Sequence, residues 1–391
     1  MKMRVLICPD SFKGTLTATQ AARAINDGIM KAMPKAKTAL IPMADGGAGT
    51  IDALQSAGFG RLVINTVKGP LGRPVRAKYI IKGRTAVIEM AQASGLLLVM
   101  EKKRNPLLTT TFGTGQLIKH ALDSGCNQIV VCVGGSATND VGMGMAQALG
   151  FRFLDSDGNA VSFRKKQGYS GGSLRYVSSV DASCADSRIK SAKLVLASDV
   201  ENPLTGRNGA ARVYGAQKGM DKKTAIALDK ETARFSRVVL SSLRKKKRLD
   251  MMKGAGAAGG LGFGLMAFLN ARTESGVEII SKAVGLDKEI KRADLVITGE
   301  GMIDSQTVHG KTIHGILRSA VKHNRPVVAI GGCLGRGWKM LKKCGICGVW
   351  DASHGKKKGM SCLRKNAYIL LKDCSEEMSK KSITENRGVV R

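Results

Sequence analysis

The stretch Asp294-Leu-Val-Ile-Thr-Gly-Glu-Gly-Met-Ile-Asp-Ser-Gln-Thr-Val-His-Gly-Lys311 places a short apolar run directly before a group of polar side chains. Residues 294–298 predict a buried strand, and Glu300, Asp304 and Lys311 follow its end. In open parallel sheets, ligands bind beyond the carboxyl ends of the strands. The stretch therefore predicts a strand that delivers two carboxylates and a lysine to a functional site.

The same order of strand, glycine-bearing loop and helix recurs along the chain. Apolar patterning predicts further strands at residues 4–8, 38–43, 128–133, 193–197 and 327–330, and helices at 18–33, 51–57 and 141–149. This alternation indicates an α/β fold with parallel sheets covered by helices on both faces. Residues 75–90 instead predict antiparallel strands that turn at Lys82-Gly83, which would make one sheet mixed. A chain of 391 residues is longer than one core usually supports, so we expect two domains.

The net charge is strongly positive, with 63 Lys and Arg against 30 Asp and Glu, or +33. Aromatic residues make up only 4% of the chain, too few for a platform that stacks the bases of a single strand. We therefore expect no specific nucleic-acid partner, although weak, salt-sensitive attraction to polyanions is expected. The basic runs are interpreted as solvated faces; they lie at residues 102–104, 164–166, 244–248 and 356–358.

Hydropathy and cysteine usage predict a cytoplasmic protein without a membrane segment. No uninterrupted apolar run reaches the roughly 18 residues that a membrane span needs, and residues 3–8 look like a strand instead of a signal peptide. The nine cysteines have irregular spacings, which is typical of reduced thiols and not of a disulfide framework.

Charged side chains follow several of the predicted strands, and we expect them to converge on one cleft. Any one of them alone would more often be a helix cap or a loop carboxylate. The set comprises Asp10, Lys13, Asp45, Asp140, Asp199, Glu300, Asp304 and Lys311.

Two glycine-rich loops add a signal for phosphate binding. They read Gly134-Gly-Ser-Ala-Thr-Asn-Asp140 and Gly254-Ala-Gly-Ala-Ala-Gly-Gly260, and each precedes a predicted helix N-terminus, where backbone N–H groups can approach an anion. Neither loop matches the Walker or the dinucleotide pattern, and the second could equally be a tight helix-packing turn. Carboxylates beside such loops suggest Mg²⁺, which bridges to substrate phosphates. These patterns predict phosphoryl transfer from a nucleotide to a small alcohol.

At these residues the sequence resembles the type I glycerate kinases. The resemblance runs over roughly residues 1–335, through Pro9-Asp-Ser-Phe-Lys-Gly14, Asp45-Gly-Gly-Ala-Gly-Thr50, Asn105-Pro-Leu-Leu108, Phe112-Gly-Thr-Gly115, the loop at 134–140, Asn202-Pro-Leu204, Gln217-Lys-Gly219, Gly256-Ala-Ala-Gly-Gly260, Ile297-Thr-Gly-Glu-Gly301 and Ile303-Asp-Ser-Gln-Thr307. It implies ATP- and Mg²⁺-dependent phosphorylation of D-glycerate, with 2-phosphoglycerate favoured. It also implies two α/β domains, one inserted into the other. We expect a Rossmann- or flavodoxin-like domain at 1–74 and 290–391, and an inserted mixed-sheet domain at 75–289.

The resemblance also suggests roles for individual residues. Those expected in catalysis are Asp199, Asp304 and Lys13, and those expected to bind the substrate are Asp10, Ser11 and Lys311. Asp45 and Glu300 are expected near the metal. The nucleotide is expected on Gly134, Gly135, Ser136, Thr138, Asn139, Gly256 and Gly259.

The chain departs from the family pattern at positions that matter for charge. Ala48 stands where the pattern has a glutamate, and Met302 stands where it has an arginine that could clamp an anion. Val141, Ala216 and Glu201 are milder departures, and the segment after about Leu334 resembles the family poorly. Three functions therefore stay open: a working glycerate kinase, a catalytically weakened relative that binds nucleotide or glycerate, and a basic polyanion-binding protein on that scaffold.

Overall fold

The computed structural model describes residues 2–161, 169–305, 307, 311–355 and 365–384, without the side chains of Lys311 and of residues 382–384. In chain order, the strands are β1 Arg4–Ile7, β2 Lys37–Leu40, β3 Arg61–Lys68, β4 Pro74–Lys82, β5 Thr85–Glu89, β6 Gln128–Cys132, β7 Arg152–Leu154, β8 Ser179–Asp181, β9 Lys193–Ala197, β10 Arg272–Glu274, β11 Leu295–Ile303, β12 Val327–Leu334 and β13 Gly348–Asp351. The helices are α1 Ala18–Ala32, α2 Thr50–Ser56, α3 Ala91–Ser94, α4 Phe112–Asp123, α5 Met143–Ala148, α6 Ala210–Tyr214, α7 Lys222–Ser242, α8 Ala257–Leu269, α9 Gly276–Ala283, α10 Leu286–Arg292, α11 Lys311–Lys322, α12 Met340–Lys343 and α13 Ala367–Thr384.

The chain forms two compact units. The first comprises Met1–Asp45, Asp52–Phe59 and Val277–Arg391, and the second comprises Gly46–Ile51 and Gly60–Gly276. The predicted domain boundaries at 74/75 and 289/290 differ from this division, because β3 pairs with β4 in the sheet of the second unit. The predicted boundaries and the predicted insertion of one domain into the other stay predictions.

The first unit is built on a five-stranded sheet in the order β13-β12-β11-β1-β2, with every neighbouring pair parallel. Helices α1 and α13 cover one face, and Ile25, Ile29, Leu371 and Met378 pack there with the buried residues of β1. A capping box at Thr17 and Gln20 begins α1, with backbone-to-side-chain hydrogen bonds of 2.9 and 3.2 Å. This packing fixes β1, whose end carries Asp10.

The second unit contains a six-stranded sheet in the order β10-β9-β6-β5-β4-β3. Strands β3, β4 and β5 pair antiparallel, and β5, β6, β9 and β10 pair parallel. A separate antiparallel pair joins β7 and β8. The sheet is therefore mixed, as predicted, and the turn between β4 and β5 lies at the predicted place.

The predicted α/β class, with parallel and mixed sheets flanked by helices, is confirmed. One strand differs in a way that affects the site: β11 continues past the predicted end at Thr298 to Ile303. Gly299 to Ile303 keep their parallel register with Ile330 to Leu334, so Glu300 lies within the paired strand. A Cβ on Gly299 would come within 2.3 Å of the Ile330 carbonyl oxygen, so glycine at this position permits the close pairing.

The helices and the cysteines bear on the predictions made from hydropathy and cysteine usage. None of the helices among the described residues combines the length and the apolar character that crossing a bilayer requires. The cysteines of the described residues are all free, including Cys344 and Cys347. The basic runs at 164–166 and 356–358 lie outside the described residues.

Candidate active site

The first unit contains a cavity of about 630 Å³ at the carboxyl ends of β1 and β11. Its polar lining comes from two segments nearly 300 residues apart in sequence; these side chains are Asp10, Ser11, Lys13, Glu300, Asp304 and Thr307. Apolar side chains also line the cavity, among them Phe12, Leu370 and Leu371. The parallel pairing of β1 with β11 explains why the two segments meet.

Asp10 is held in place by hydrogen bonds from the residue that follows it and from helix α11. The amide of Ser11 donates to its Oδ1, and the hydroxyl of Thr312 on α11 donates to its Oδ2 over 2.9 Å. Its own amide donates to the Gly299 carbonyl oxygen over 2.8 Å. Burial, followed by the charge of Asp45, raises the pKa of Asp10 above its ordinary value, and the two hydrogen bonds oppose that rise. Asp10 is thus a fixed carboxylate in a site of excess negative charge.

Glu300 lies within β11, and Asp304 directly follows the end of that strand. Burial raises the pKa of Glu300, a hydrogen bond with Thr307 lowers it, and the charge of Asp10 raises it again. Oε1 of Glu300 is buried and has no hydrogen-bond partner among the described residues. The amide of Asp304 donates to the Thr307 hydroxyl over 3.0 Å, which holds these two residues together.

The charged side chains that line the cavity indicate which ions it can bind. Asp10, Glu300 and Asp304 line it with Lys13 as the cationic side chain among the described lining residues, and Asp45 acts electrostatically on Asp10. Carboxylate oxygens are the ligands that hard divalent cations prefer, and Oε1 of Glu300 has no hydrogen-bond partner in the part of the chain that the structure describes. Among the described residues, no group of three or more His, Cys, Asp or Glu side chains is arranged to hold a metal ion. Mg²⁺ keeps several waters and binds through one or two carboxylates, so the carboxylates that line the cavity are of the donor type that it uses.

The glycine loop after β6 lies in the second unit and has an accessible part and a buried part. Gly135 is exposed with a φ of +68°, and Gly134 is half-buried. A Cβ on Gly134 would come within 2.4 Å of the Gly47 Cα, so this position accepts only glycine. Thr138 and Asn139 are fully buried instead. Gly134 and Gly135 are thus the parts of the loop that a ligand can reach.

Asp140 was expected at a cleft, and the structure places it in the interior. Its Oδ2 accepts from the amide and the hydroxyl of Thr111, at 2.7 and 2.8 Å, and from the Gly144 amide at 3.2 Å; its Oδ1 accepts from the Gly142 amide at 3.3 Å. Burial raises the pKa of Asp140, and these hydrogen bonds lower it. Asp140 therefore joins the first turn of α4 to that of α5 and is a structural residue.

Lys218 is a residue of this site that sequence reasoning missed. Its side chain is 1% exposed, and its Nζ donates to the Ser136 hydroxyl over 2.8 Å and to the Thr138 carbonyl oxygen over 2.7 Å. Burial lowers its pKa to about 7, and the charge of Asp140 opposes that shift. Lys218 thus ties the glycine loop to the core. Its motif, Gln217-Lys-Gly219, is one of those through which the sequence resembles the glycerate kinases. A lysine between a glutamine and a glycine, however, gives no sign in the sequence that it is buried.

The second glycine-rich loop fits the packing alternative that the sequence left open. A Cβ on Gly256 would lie 2.3 Å from the Pro203 carbonyl oxygen, and one on Gly259 would lie 2.0 Å from that of Thr138. Both glycines are buried. Their close packing positions the start of α8 against the 134–140 loop.

Residues 5–381 match the glycerate kinase family. The chain belongs to this family. The expectation that residues after about Leu334 resemble the family poorly is therefore wrong; these residues complete the sheet with β13 and add α13, which packs on α1 so closely that a Cβ on Gly28 would meet the Lys372 carbonyl oxygen at 2.2 Å.

Individual relatives carry the same description. The chain is 48% identical over 344 residues to a protein named glycerate kinase from Halalkalibacterium halodurans, with 88% of each chain covered. It is 44% identical over 353 residues to a protein named glycerate 2-kinase from Escherichia coli, covering 89% of this chain and 90% of the relative. A crystal structure of a protein described as glycerate kinase 2 from Salmonella typhimurium LT2 matches with a TM-score of 0.80 at 38% identity, over 99% of this chain and 100% of that one. The predicted family, and the prediction of a kinase, are confirmed.

The other predicted site residues of this glycerate kinase family member are distributed over both units. Asp45 belongs to the first unit, and Asp199, which follows β9 after Ser198, belongs to the second. The backbone of Lys311 begins α11, whereas its side chain lies outside the described residues. Met302 lines the cavity of the first unit and is 54% exposed, and Ala48 is exposed in the second unit.

Proposed function

We propose that this protein transfers the γ-phosphoryl group of ATP to D-glycerate, with 2-phosphoglycerate as the favoured product. Membership of the glycerate kinase family and a relative named glycerate 2-kinase support this reaction. The structural observation that supports the reaction most directly is the cavity at the ends of β1 and β11, where Asp10, Lys13, Glu300 and Asp304 lie together. Carboxylates and a lysine at the carboxyl ends of parallel strands are suited to positioning a small hydroxy acid for phosphoryl transfer.

In this proposal the residues of the cavity have distinct roles. Asp10 and Ser11 orient the substrate, because Asp10 is fixed by hydrogen bonds from two segments. Lys13 offsets negative charge on the transferring group. Asp304 or Asp199 accepts the proton of the attacking hydroxyl as its oxygen bonds to phosphorus and ADP leaves. Lys311 is proposed to bind the glycerate carboxylate, and this role is based only on the resemblance of the sequence to the glycerate kinases.

Mg²⁺ is proposed as the cation of the reaction, with Glu300 and Asp45 as its protein ligands. ATP and glycerate are both anions, and the described residues that line the cavity include three carboxylates and one lysine, a balance that repels anions unless a cation is present. Oε1 of Glu300, which is buried and accepts no hydrogen bond from the described residues, is a suitable donor. When bound, Mg²⁺ would neutralise charge on the phosphates.

In the second unit, Gly134 and Gly135 are proposed to offer backbone N–H groups to the nucleotide phosphates. Ser136, Thr138 and Asn139 are proposed to contribute by fixing the loop, because they are buried and Lys218 binds two of them. Gly256 and Gly259 contribute by packing. A cytoplasmic location stays a prediction.

The function is tested by glycerate-dependent ADP release in a coupled assay, with the product identified by ³¹P NMR. We expect a phosphorus signal split by one carbon-bound proton, since the 2-position carries one and the 3-position two. Glu300→Gln should lower kcat by about 100-fold, the scale of losing one charged group at a reacting phosphoryl. Glu278→Gln, at an exposed ion pair with Arg318, is the matched control and should act like the wild type. Absence of glycerate-dependent ADP release by the wild type would overturn the proposal.

A weakened relative of the family is the second candidate, and the position of Met302 in the acidic cavity favours it. An arginine there would add a fixed cation that a thioether cannot supply. If turnover is reduced for this reason, the double variant Met302→Arg, Ala48→Glu should exceed the wild-type rate in the same assay. Equal rates would exclude this candidate.

A further inference from the structure

The basic run Arg244-Lys-Lys-Lys-Arg248 is not used by the proposed kinase site. Its residues from Lys245 onward line two cavities of the second unit. One cavity has a volume of about 610 Å³ and the other about 420 Å³. The lysines at 245–247 line both. Arg237 and Arg248 add cationic side chains to the larger cavity, and Arg272 adds one to the smaller. The two cavities therefore adjoin along one wall of positive charge.

The local backbone explains why the run forms a wall. Helix α7 ends at Ser242, and Arg244 adopts a φ of +51°, which turns the chain out of the helix. The amide of Lys245 then donates to the Leu240 carbonyl oxygen over 2.8 Å, and its Nζ donates to Asn270. The run is thus anchored to α7 and to the end of α8, and it does not extend freely into solvent.

Few carboxylates oppose this charge. Asp250 is the carboxylate among the residues that line the two cavities, and it is bound by Arg248 at 2.9 and 3.0 Å. No described carboxylate forms an ion pair with Lys246 or Lys247. The hydroxyls of Thr205 and Ser241 also line the larger cavity. Cations with nearby hydroxyl donors are suited to binding phosphate oxygens.

The positions of the cationic side chains and the residue types that line the two cavities indicate which kind of ligand can bind there. The cations extend over two cavities, so a ligand that engages them all must carry several phosphates. The described residues that line the cavities include no Phe, Tyr or Trp, so they provide no base stacking, which holds single strands in many binding proteins. The contacts would therefore be with phosphates and not with bases.

We propose that the two cavities sharing the lysines at 245–247 bind a linear chain of phosphate units, as in a nucleic-acid backbone or inorganic polyphosphate, without dependence on base sequence. This site is separate from the proposed kinase function and does not require it. The proposed site also assigns a binding function to some of the residues that make up the +33 net charge.

The test uses fluorescence anisotropy with a labelled 20-nucleotide DNA strand of mixed sequence and two double variants of the full chain. Lys246→Gln, Lys247→Gln removes two charges from the proposed site, and Lys102→Gln, Lys103→Gln removes two exposed charges from another basic run of the same unit. We expect the first pair to weaken binding about tenfold and to lower the slope of log affinity against log salt by about 1.4, since each phosphate contact on a single strand contributes about 0.7. The second pair should stay within about twofold of the wild type.

Far-UV circular dichroism of both variants reports that they are folded, whether or not the proposed kinase activity is present. Competition with inorganic polyphosphate shows which source of phosphate chain binds more tightly, and inorganic phosphate at the same phosphate concentration should not compete. Equal weakening by the two double variants would show that only net charge matters and would overturn the proposal. Absence of binding by the wild type, or equal competition by inorganic phosphate, would also overturn it.

Discussion

A single buried lysine determines how the proposed nucleotide loop is held. Lys218 is almost completely buried, and its ammonium group is stabilised by hydrogen bonds to two oxygens of the loop and by the charge of Asp140. Burying an ammonium costs several kcal/mol unless it is paired, and burial accordingly lowers the pKa of Lys218 to about 7. The loop is thus fixed by a group whose charge changes near neutral pH.

Lys218 should make the stability of the protein depend on pH in a definite direction. Its pKa is near 10.5 in the unfolded chain and about 7 in the folded one, so the unfolded state binds more protons between these values. The free energy of unfolding should therefore rise with pH from 7 to 10, relative to that of Lys218→Met, by at most about 1.4 kcal/mol per pH unit. Urea unfolding followed by far-UV circular dichroism measures the difference. A difference that is flat over this range, or falls, would contradict the assigned shift.

The sequence predicted residue types better than residue environments. It placed Asp10, Glu300 and Asp304 after strands of one sheet, and the structure brings them to one cavity, because the end of a parallel strand can be read from an apolar run. It could not show that Asp140 faces the interior, because the four donors that bind it come from the backbone and from Thr111. Burial of this kind depends on tertiary contacts that have no local pattern.

At the level of elements, glycines set how closely the loops approach one another. Gly134 packs on Gly47, whereas Gly135 is limited by its backbone conformation alone, because a Cβ added to Gly135 would lie 3.5 Å from its nearest neighbouring atom. Neighbouring glycines in one loop therefore serve different purposes. From the sequence, both were interpreted only as places where an anion could approach.

Replacing these two glycines by alanine should separate the two effects. Gly134→Ala forces the β6 loop away from Gly47 and should lower the free energy of unfolding by about 3 kcal/mol, at the upper end for overpacking. Gly135→Ala has space and should cost about 1 kcal/mol, the penalty of a left-handed backbone for alanine. Urea unfolding measured by far-UV circular dichroism compares them. Equal costs would show that the loop relaxes, and that the contact with Gly47 does not fix it.

The extent of β11 is another property of elements that the sequence described incompletely. The apolar run ends at Thr298, but the pairing with β12 continues through two glycines and Glu300. Hydrophobic periodicity detects buried strand residues and not the hydrogen bonds that extend a strand beyond them. As a result, Glu300 was predicted beyond the strand, whereas its paired backbone gives its carboxylate a more rigid support.

For the molecule as a whole, net charge should outweigh the individual ion pairs in setting the response to salt. Ion pairs such as Arg318 with Glu278 and Lys253 with Glu201 are exposed, and pairs of this kind contribute about 0–1 kcal/mol each, less at high salt. Thirty-three uncompensated positive charges repel one another more strongly in the compact state than in the unfolded chain. Raising the ionic strength from 0.01 to 0.15 M shortens the screening length from about 30 to about 8 Å.

We therefore expect sodium chloride to stabilise the protein over this range, by an amount on the order of 1 kcal/mol or a few degrees in Tm. Trp338 and Trp350 both belong to the first unit, so tryptophan fluorescence follows that unit while circular dichroism follows both. The Lys246→Gln, Lys247→Gln variant distinguishes general repulsion from anion binding at the basic cavities, because it removes only two of the excess charges. If charge repulsion is the cause, this variant should still be stabilised by sodium chloride almost as much as the wild type. If anion binding at the basic cavities is the cause, the variant should lose that stabilisation. Destabilisation of the wild type by salt would show that ion pairs dominate, contrary to what a charge of +33 implies.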